Sequence, residues 1–365
     1  MPRHVPAIDA LRGVSVALVV MHHVAIRLPL TKSHAADWLP ERLLLALNWN
    51  GGEAVQLFFV ISGFLIASRT LDRDGAPAQV RPVPFWKRRF ARIAPPLALL
   101  IVVLSTLHLL GVPHYVIDGP NQSLAGAIVS ASTFWLNWYE GRTGYLPGGW
   151  DVLWSLSIEE VFYAAFPVVL WAVRREWALG VSMALFAATL PVTVHWAEGE
   201  IWREKAYLPG MSAIACGVAA AVVARALAAN PRRDRAMVGV GAVLVASILG
   251  WGDLVYPVLG APAYLVNMVG AALICVGGSG MAGPRPAAWT APLRWLGRWS
   301  YEVYLTHMFV VFAIVDLYAA IGWGKPEGAW AYPAALAGSA AVGVAFGKAW
   351  SVPADRALRA RLGVS

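Results

Sequence analysis

The stretch IDALRGVSVALVVMHHVAI, residues 8–26, is apolar enough to cross a bilayer, yet it carries Asp9, Arg12, His22 and His23. An ionisable side chain in hydrocarbon costs roughly 2.5–3.5 kcal/mol on insertion scales, so four in one span point to function. On a helix, the eleven residues from Arg12 to His23 return to within about 20° of the same face and climb about 16 Å. Arg12 and His23 therefore share a stripe, and His22 is turned about 80° away from it. Asp9, three residues before Arg12, is expected to be its ion-pair partner. A guanidinium holds an anionic group and an imidazole moves a proton near neutral pH, so the stripe has the parts for anion binding at one end and acid–base chemistry at the other.

Three further stretches carry polar residues of the same kind. LFFVISGFLIASR, residues 57–69, sets Ser62 and Gly63 within an apolar run that ends at Arg69. PFWKRRFARIAPP, residues 84–96, gathers Lys87, Arg88, Arg89 and Arg92, a pattern that suits a seat for phosphates. GGWDVLWSLSIEEVFYAAFP, residues 148–167, brings Glu159 and Glu160 to an expected helix start, where the helix dipole accounts for one carboxylate but not for two. Glu159, Phe162 and Tyr163 share a helix face there, a carboxylate beside rings able to stack on a sugar. Near the end, LGRWSYEVYLTHMF, residues 296–309, places Glu302 and His307 in one apolar helix, where a buried hydrogen-bonded pair is the plainest reading.

Elements that position these residues must be membrane helices. The 365 residues are 58% hydrophobic and only 14% charged, with 18 Trp and 12 Phe, well short of the roughly 25% charge of soluble domains. Cys216 and Cys275 lie in apolar runs, and no metal-ligand spacing occurs. Stretches long enough to span about 30 Å of hydrocarbon begin near residues 8, 54, 93, 153, 177, 208, 236, 257, 299 and 329. The expected fold is all-α and polytopic, with about ten transmembrane helices. A further segment, 124–138, is expected as a re-entrant or surface helix within a long outer segment, residues 113–152. With that assignment, 21 of the 29 Lys and Arg residues fall on one side and seven on the other, and both termini are expected in the cytoplasm. The net charge of +8 then follows from topology, and a nucleic-acid partner is not expected.

Together these stretches resemble the membrane-bound acyltransferase 3 family over nearly the whole chain. The resemblance rests on D-x-L-R-G with a histidine eleven after the arginine (Asp9, Leu11, Arg12, Gly13, His23), on F-F-x-x-S-G-F (Phe58 to Phe64) and on K-R-R-x-x-R-I-x-P from Lys87. W-S-L-x-x-E-x-x-F-Y from Trp154 and S-Y-x-x-Y-L-x-H ending at His307 complete it. One departure is WSVPADRALR, residues 350–359, where family members often carry a Glu-Arg-Pro-like sequence. A second is that the soluble hydrolase-like domain of many members has no counterpart, so residues 1–365 are expected to form one membrane-embedded domain.

The resemblance implies a multi-pass protein of the plasma (inner) membrane that moves an acyl group from acyl-CoA, most simply acetyl-CoA, to a hydroxyl of an extracytoplasmic carbohydrate or glycolipid. It implies no metal. Arg69, Lys87, Arg88, Arg89 and Arg92 are expected to hold the donor. Trp154, Ser155, Tyr163, Ser62 and His307 are expected around the acceptor, which approaches from the outer side. His23, Arg12, Asp9 and Glu159 are the candidate catalytic residues. The residues leave open whether His23 acts as a general base or carries an acyl-imidazole, with the base favoured. A proton-coupled carrier of a polar solute is the alternative class, since intramembrane Arg, His and Glu suit it as well, although no inverted repeat is evident.

Overall fold

Ten helices among the described residues are long and apolar enough to cross a bilayer, in agreement with the number expected. The computed structural model describes residues 4–194, 199–281 and 286–364, all helices and loops with no strand among them. Arg3 and Arg285, two of the basic residues used to orient the chain, lie outside the described residues. The spans cover Pro6–Ala25, Gly51–Asp74, Pro82–Leu109, Gly148–Val173, Glu176–Thr193, Glu200–Ala226, Pro231–Leu259, Pro262–Gly280, Ser300–Ala320 and Gly328–Leu362. Exposed Val102, Leu109, Trp171 and Leu185 lie on the outside of the bundle, as hydrocarbon around it requires.

Segment 124–138 does not cross. Its helix Leu124–Ser132 has nine residues, about 14 Å, and ends at a turn where Phe134 takes φ 60°. A second short helix, Leu136–Thr143, follows, and a buried charge cluster fastens it to the bundle. Lys205, 2% exposed, donates to Glu140 Oε2 at 2.9 Å and also binds Asp151. Burial, with Asp151 beside it, pushes the Glu140 carboxyl well above the usual carboxylate range.

The first two spans lie at the centre of the contacts because glycines let backbones touch. A Cβ at Gly63 would fall on the Ile214 carbonyl of the sixth span, and one at Gly217 would fall on the Val60 carbonyl of the second. A helix not anticipated from the sequence, Ala291–Arg298, docks on the first span in the same way, Gly13 against Leu293 and Gly297 against Asp9. Small residues are the usual means of close helix approach in lipid, where burial itself gives no drive. We expect Gly63→Val and Gly217→Val each to lower stability by about 1–3 kcal/mol or more through overpacking. Gly239→Ala, where a Cβ meets nothing within 4 Å, is the control. Thermal unfolding in detergent reads all three, with the first two melting lower and the control unchanged.

Candidate functional site

The arginines of three separate stretches converge on one cavity of about 480 Å³. Its wall along the second span runs from Arg73 back to Val55, about 27 Å of helix. Arg12, Arg69, Arg88, Arg89 and Arg92 line it, joined by Arg73, Arg298 and Arg359. Against them stand Asp9, Glu159 and Asp355. The last three arginines and Asp355 were not picked out from the sequence. Arg298 lies beside the S-Y-x-x-Y motif, but Arg359 reads only as one more basic residue of a helix end. So many guanidinium groups facing one space leave a positive surplus that an anion with several charges would offset.

Arg92 is already engaged. Its Nη2 donates to Glu302 Oε1 at 2.7 Å and its Nη1 to Ser351 Oγ at 3.2 Å, while Ser351 donates to the same carboxylate oxygen at 2.9 Å. Glu302 is thus paired with Arg92, and not with His307 as a reading of their shared helix has it. A π-helical turn at Gly347–Ser351 brings Ser351 to this point, within the stretch that departs from the family pattern. Lys87 points elsewhere, its Nζ donating to the Leu362 carbonyl at 3.3 Å, and does not line the cavity.

Two other expectations are corrected. Asp9 meets His4 at 3.3 Å, not Arg12, because the i,i+3 neighbour turns its guanidinium into the cavity. Glu159 and Glu160 sit beyond the first turn of a helix that starts at Trp154, so neither caps it. Glu159 instead accepts from the Tyr163 hydroxyl at 3.2 Å, and that hydroxyl also bonds Ser62. Ser62, Glu159 and Tyr163 line the same cavity as the arginines, with Arg89 over the Tyr163 ring at 4.8 Å. Phe162 is buried against Phe166 and offers no stacking face. Trp154 packs edge-on to Phe59 outside the cavity.

At the inner end of the cavity, Ser155 and Tyr304 share a hydrogen bond of 2.9 Å, and the Tyr304 hydroxyl also donates to the Val152 carbonyl. Behind Tyr304 stand the two imidazoles. His307 Nδ1 lies 2.6 Å from the Tyr304 carbonyl, and His307 Nε2 lies 3.3 Å from His23 Nδ1, which is also 2.8 Å from the Val19 carbonyl. Carbonyls only accept, so both Nδ1 atoms carry protons. His307 Nε2 is then an acceptor for His23, and His23 Nε2 keeps a free lone pair. A base oriented by a second group is the recurring arrangement for proton abstraction. His22 faces away, its Nδ1 on the Asn48 carbonyl at 2.9 Å and its ring against Trp49.

Clustered guanidinium groups along a cavity between membrane helices, with two imidazoles behind its far end, are parts of the kind that group transfer uses. The family described as "Acyltransferase domain" matches residues 5–348, and the chain belongs to it. It is therefore a multi-pass membrane protein of an acyltransferase family. The chain is similar to the O-acetyltransferase OatA of Staphylococcus aureus, 28% identical over 216 residues that make up 54% of this chain and 31% of OatA. It is also similar to the acyltransferase MdmB of Streptomyces mycarofaciens, 27% identical over 324 residues, 84% of this chain and 79% of MdmB. The match thus spans about a third of the length of OatA. No solved structure matches the chain.

The bonds of Arg92 separate it from its neighbours. Arg92→Ala leaves Glu302 buried without a cation and should cost about 3–5 kcal/mol of stability. Arg88, which has no carboxylate within 4.0 Å among the described residues, should change stability by no more than about 0.5 kcal/mol when replaced by Ala. Denaturation in detergent would show the difference, and equal loss in both would remove the special place given to Arg92.

Proposed function

We propose that the protein carries an acyl group, most simply acetyl, from cytoplasmic acyl-CoA to a hydroxyl of an extracytoplasmic glycan or glycolipid. The observation that carries this reading is the arginine-lined cavity that ends at Tyr304, directly beneath the His23–His307 pair. The name of OatA, an O-acetyltransferase, supports acetyl as the group and oxygen as its destination. In this reading the termini and the basic ends of the spans are cytoplasmic, the membrane is the plasma (inner) membrane, and the chain acts as a single membrane domain.

The phosphates of the donor rest against Arg69, Arg88 and Arg89, while Arg92 braces that wall from behind. The thioester reaches toward Ser155 and Tyr304, about the 16 Å that separates Arg12 from His23 along the first span. Tyr304 must turn aside when the donor is in place, because Tyr304 and neither imidazole lines the cavity. His23 Nε2 removes the proton of the acceptor hydroxyl, and the oxygen attacks the thioester carbonyl. The carbon–sulfur bond breaks, and the leaving thiolate takes the proton from His23. His307 is a positioning residue, holding the Nδ1 proton of His23 and so stabilising the imidazolium formed in between. An imidazole fits this work because its proton affinity lies near working pH.

Acyl esters on the surface glycans of the source cells, compared by mass spectrometry with and without the gene, test the whole reading. Unchanged esters, together with no turnover of acyl-CoA by the purified protein, would overturn it. In that assay His23→Ala should lose about 10²- to 10⁴-fold in rate, and His22→Ala should keep at least roughly a tenth of it. His307→Ala should lower kcat with little change in the KM for donor, and His307→Gln should recover part of the loss. Charge removal at Arg88 and Arg89 together should raise the KM for acyl-CoA by up to about 100-fold, the loss of a bidentate phosphate contact. A raised acceptor KM with an unchanged donor KM would place the acceptor in this cavity instead.

A further inference from the structure

A second cation follows the first span, on the far side of His23 from the cavity. Arg27 comes four residues after His23, in the turn just past the helix end at Ala25, and its Nη1 reaches back to the His23 carbonyl at 3.1 Å. Its guanidinium lies over the Phe312 ring at 4.6 Å from the ring centre. His114 stacks on the same ring, 4.8 Å away and 5° from parallel, and its Nε2 is tied to Asp316 Oδ1 at 2.8 Å. The stack of Arg27, Phe312 and His114 fixes the guanidinium in place.

Most of its hydrogen-bonding capacity is unused. Nη1 donates to the His23 carbonyl at 3.1 Å, and no carboxylate lies within 4.0 Å of Arg27 among the described residues. Arg42, on the same side of the protein in the reading above, is by contrast paired with Asp253 at 3.2 Å. A guanidinium has five N–H donors in a rigid fork suited to carboxylate or phosphate. Gly148 lies beside the guanidinium, where a Cβ would come within 3.8 Å of Arg27 Nη2.

We propose that Arg27 binds an anionic group of the acceptor, so that the acceptor is a glycan or glycolipid bearing a carboxylate or phosphate about one helical turn from the hydroxyl to be acylated. The proposal rests on the donor and acceptor sides assigned above, since it places the acceptor opposite the arginine-lined cavity. It adds the substrate's charge: the donor's phosphates would be held by arginines of the second and third spans, and the acceptor's anion by Arg27 just past the first span, with His23 between the two.

The test uses the purified full-length protein and three probes, octyl glucoside, octyl glucuronide and an octyl glucoside phosphate. Their binding is measured by calorimetry in the absence of donor, and acetyl-CoA turnover is followed separately. At least one anionic probe should bind about 10- to 100-fold more tightly than the glucoside, the value of a charge-assisted fork. Arg27→Gln should erase that difference without altering the affinity for acetyl-CoA, and Arg27→Lys should restore part of it. Which anionic probe is favoured tells carboxylate from phosphate. No preference in the wild type, or a preference that survives Arg27→Gln, overturns the assignment, and so does full restoration by Lys, which would mark Arg27 as a mere anchor for the span. Absence of acetyl-CoA turnover with the anion preference intact would instead overturn the donor reading and leave an anion site to be explained.

Discussion

The ion pair between Arg92 and Glu302 joins the third span to the ninth, and Ser351 joins both to the last. These three helices form one side of the cavity, and Glu302 is 1% exposed while Arg92 stays half-buried at the cavity wall. In hydrocarbon a carboxylate without a partner is not tolerated, so the pair sets where these helices can sit relative to one another. Tyr301, against the Arg92 guanidinium at 4.7 Å, and Tyr304, one turn further, are placed by the same helix. From Tyr304 the chain of contacts continues to His307 and His23. The position of the imidazoles therefore follows from an ion pair well over a helical turn away.

The remaining arginines show the opposite solution to the same constraint. Arg73 and Arg359 pair with Asp74 and Asp355, but Arg12, Arg69, Arg88, Arg89 and Arg298 face a shared cavity with no carboxylate within 4.0 Å among the described residues, a costly arrangement for an empty protein and a favourable one when a polyanion is bound. Glycine contacts make it possible to bring them so close. Gly13 and Gly63 let the first and second spans press onto their neighbours, which turns Arg12 and Arg69 inward. The hydroxyl chain of Ser62, Tyr163 and Glu159 is the polar lining on the opposite wall, where Arg89 is held by the Tyr163 ring.

The segment 113–152 has a different logic. Short helices with polar termini cannot face lipid, so Lys205, Glu140 and Asp151 clamp them to the bundle by a buried charge cluster. The clamp holds the loop that leads through Trp150 and Val152, whose carbonyl receives the Tyr304 hydroxyl. Packing of these short helices is thus connected to the Tyr304 end of the cavity.

Hydrophobic run length and the distribution of Lys and Arg were enough to determine ten helices and a segment 124–138 that does not cross, because both depend on the bilayer alone. Helical phase was enough to separate His23 from His22, since the first span is regular throughout. Partner choice was not legible. Asp9 meets His4, which precedes the helix and follows no helical phase, while Glu302 meets Arg92 and Lys87 turns to the chain's last helix, bonds between residues far apart in sequence. The helix Ala291–Arg298, the π turn that delivers Ser351, and the entry of Arg298 and Arg359 into the cavity were likewise decided only by tertiary packing. Sequence periodicity gives the face of a single helix. Which other helix that face meets is fixed by close backbone contact and by the need to pair every buried charge.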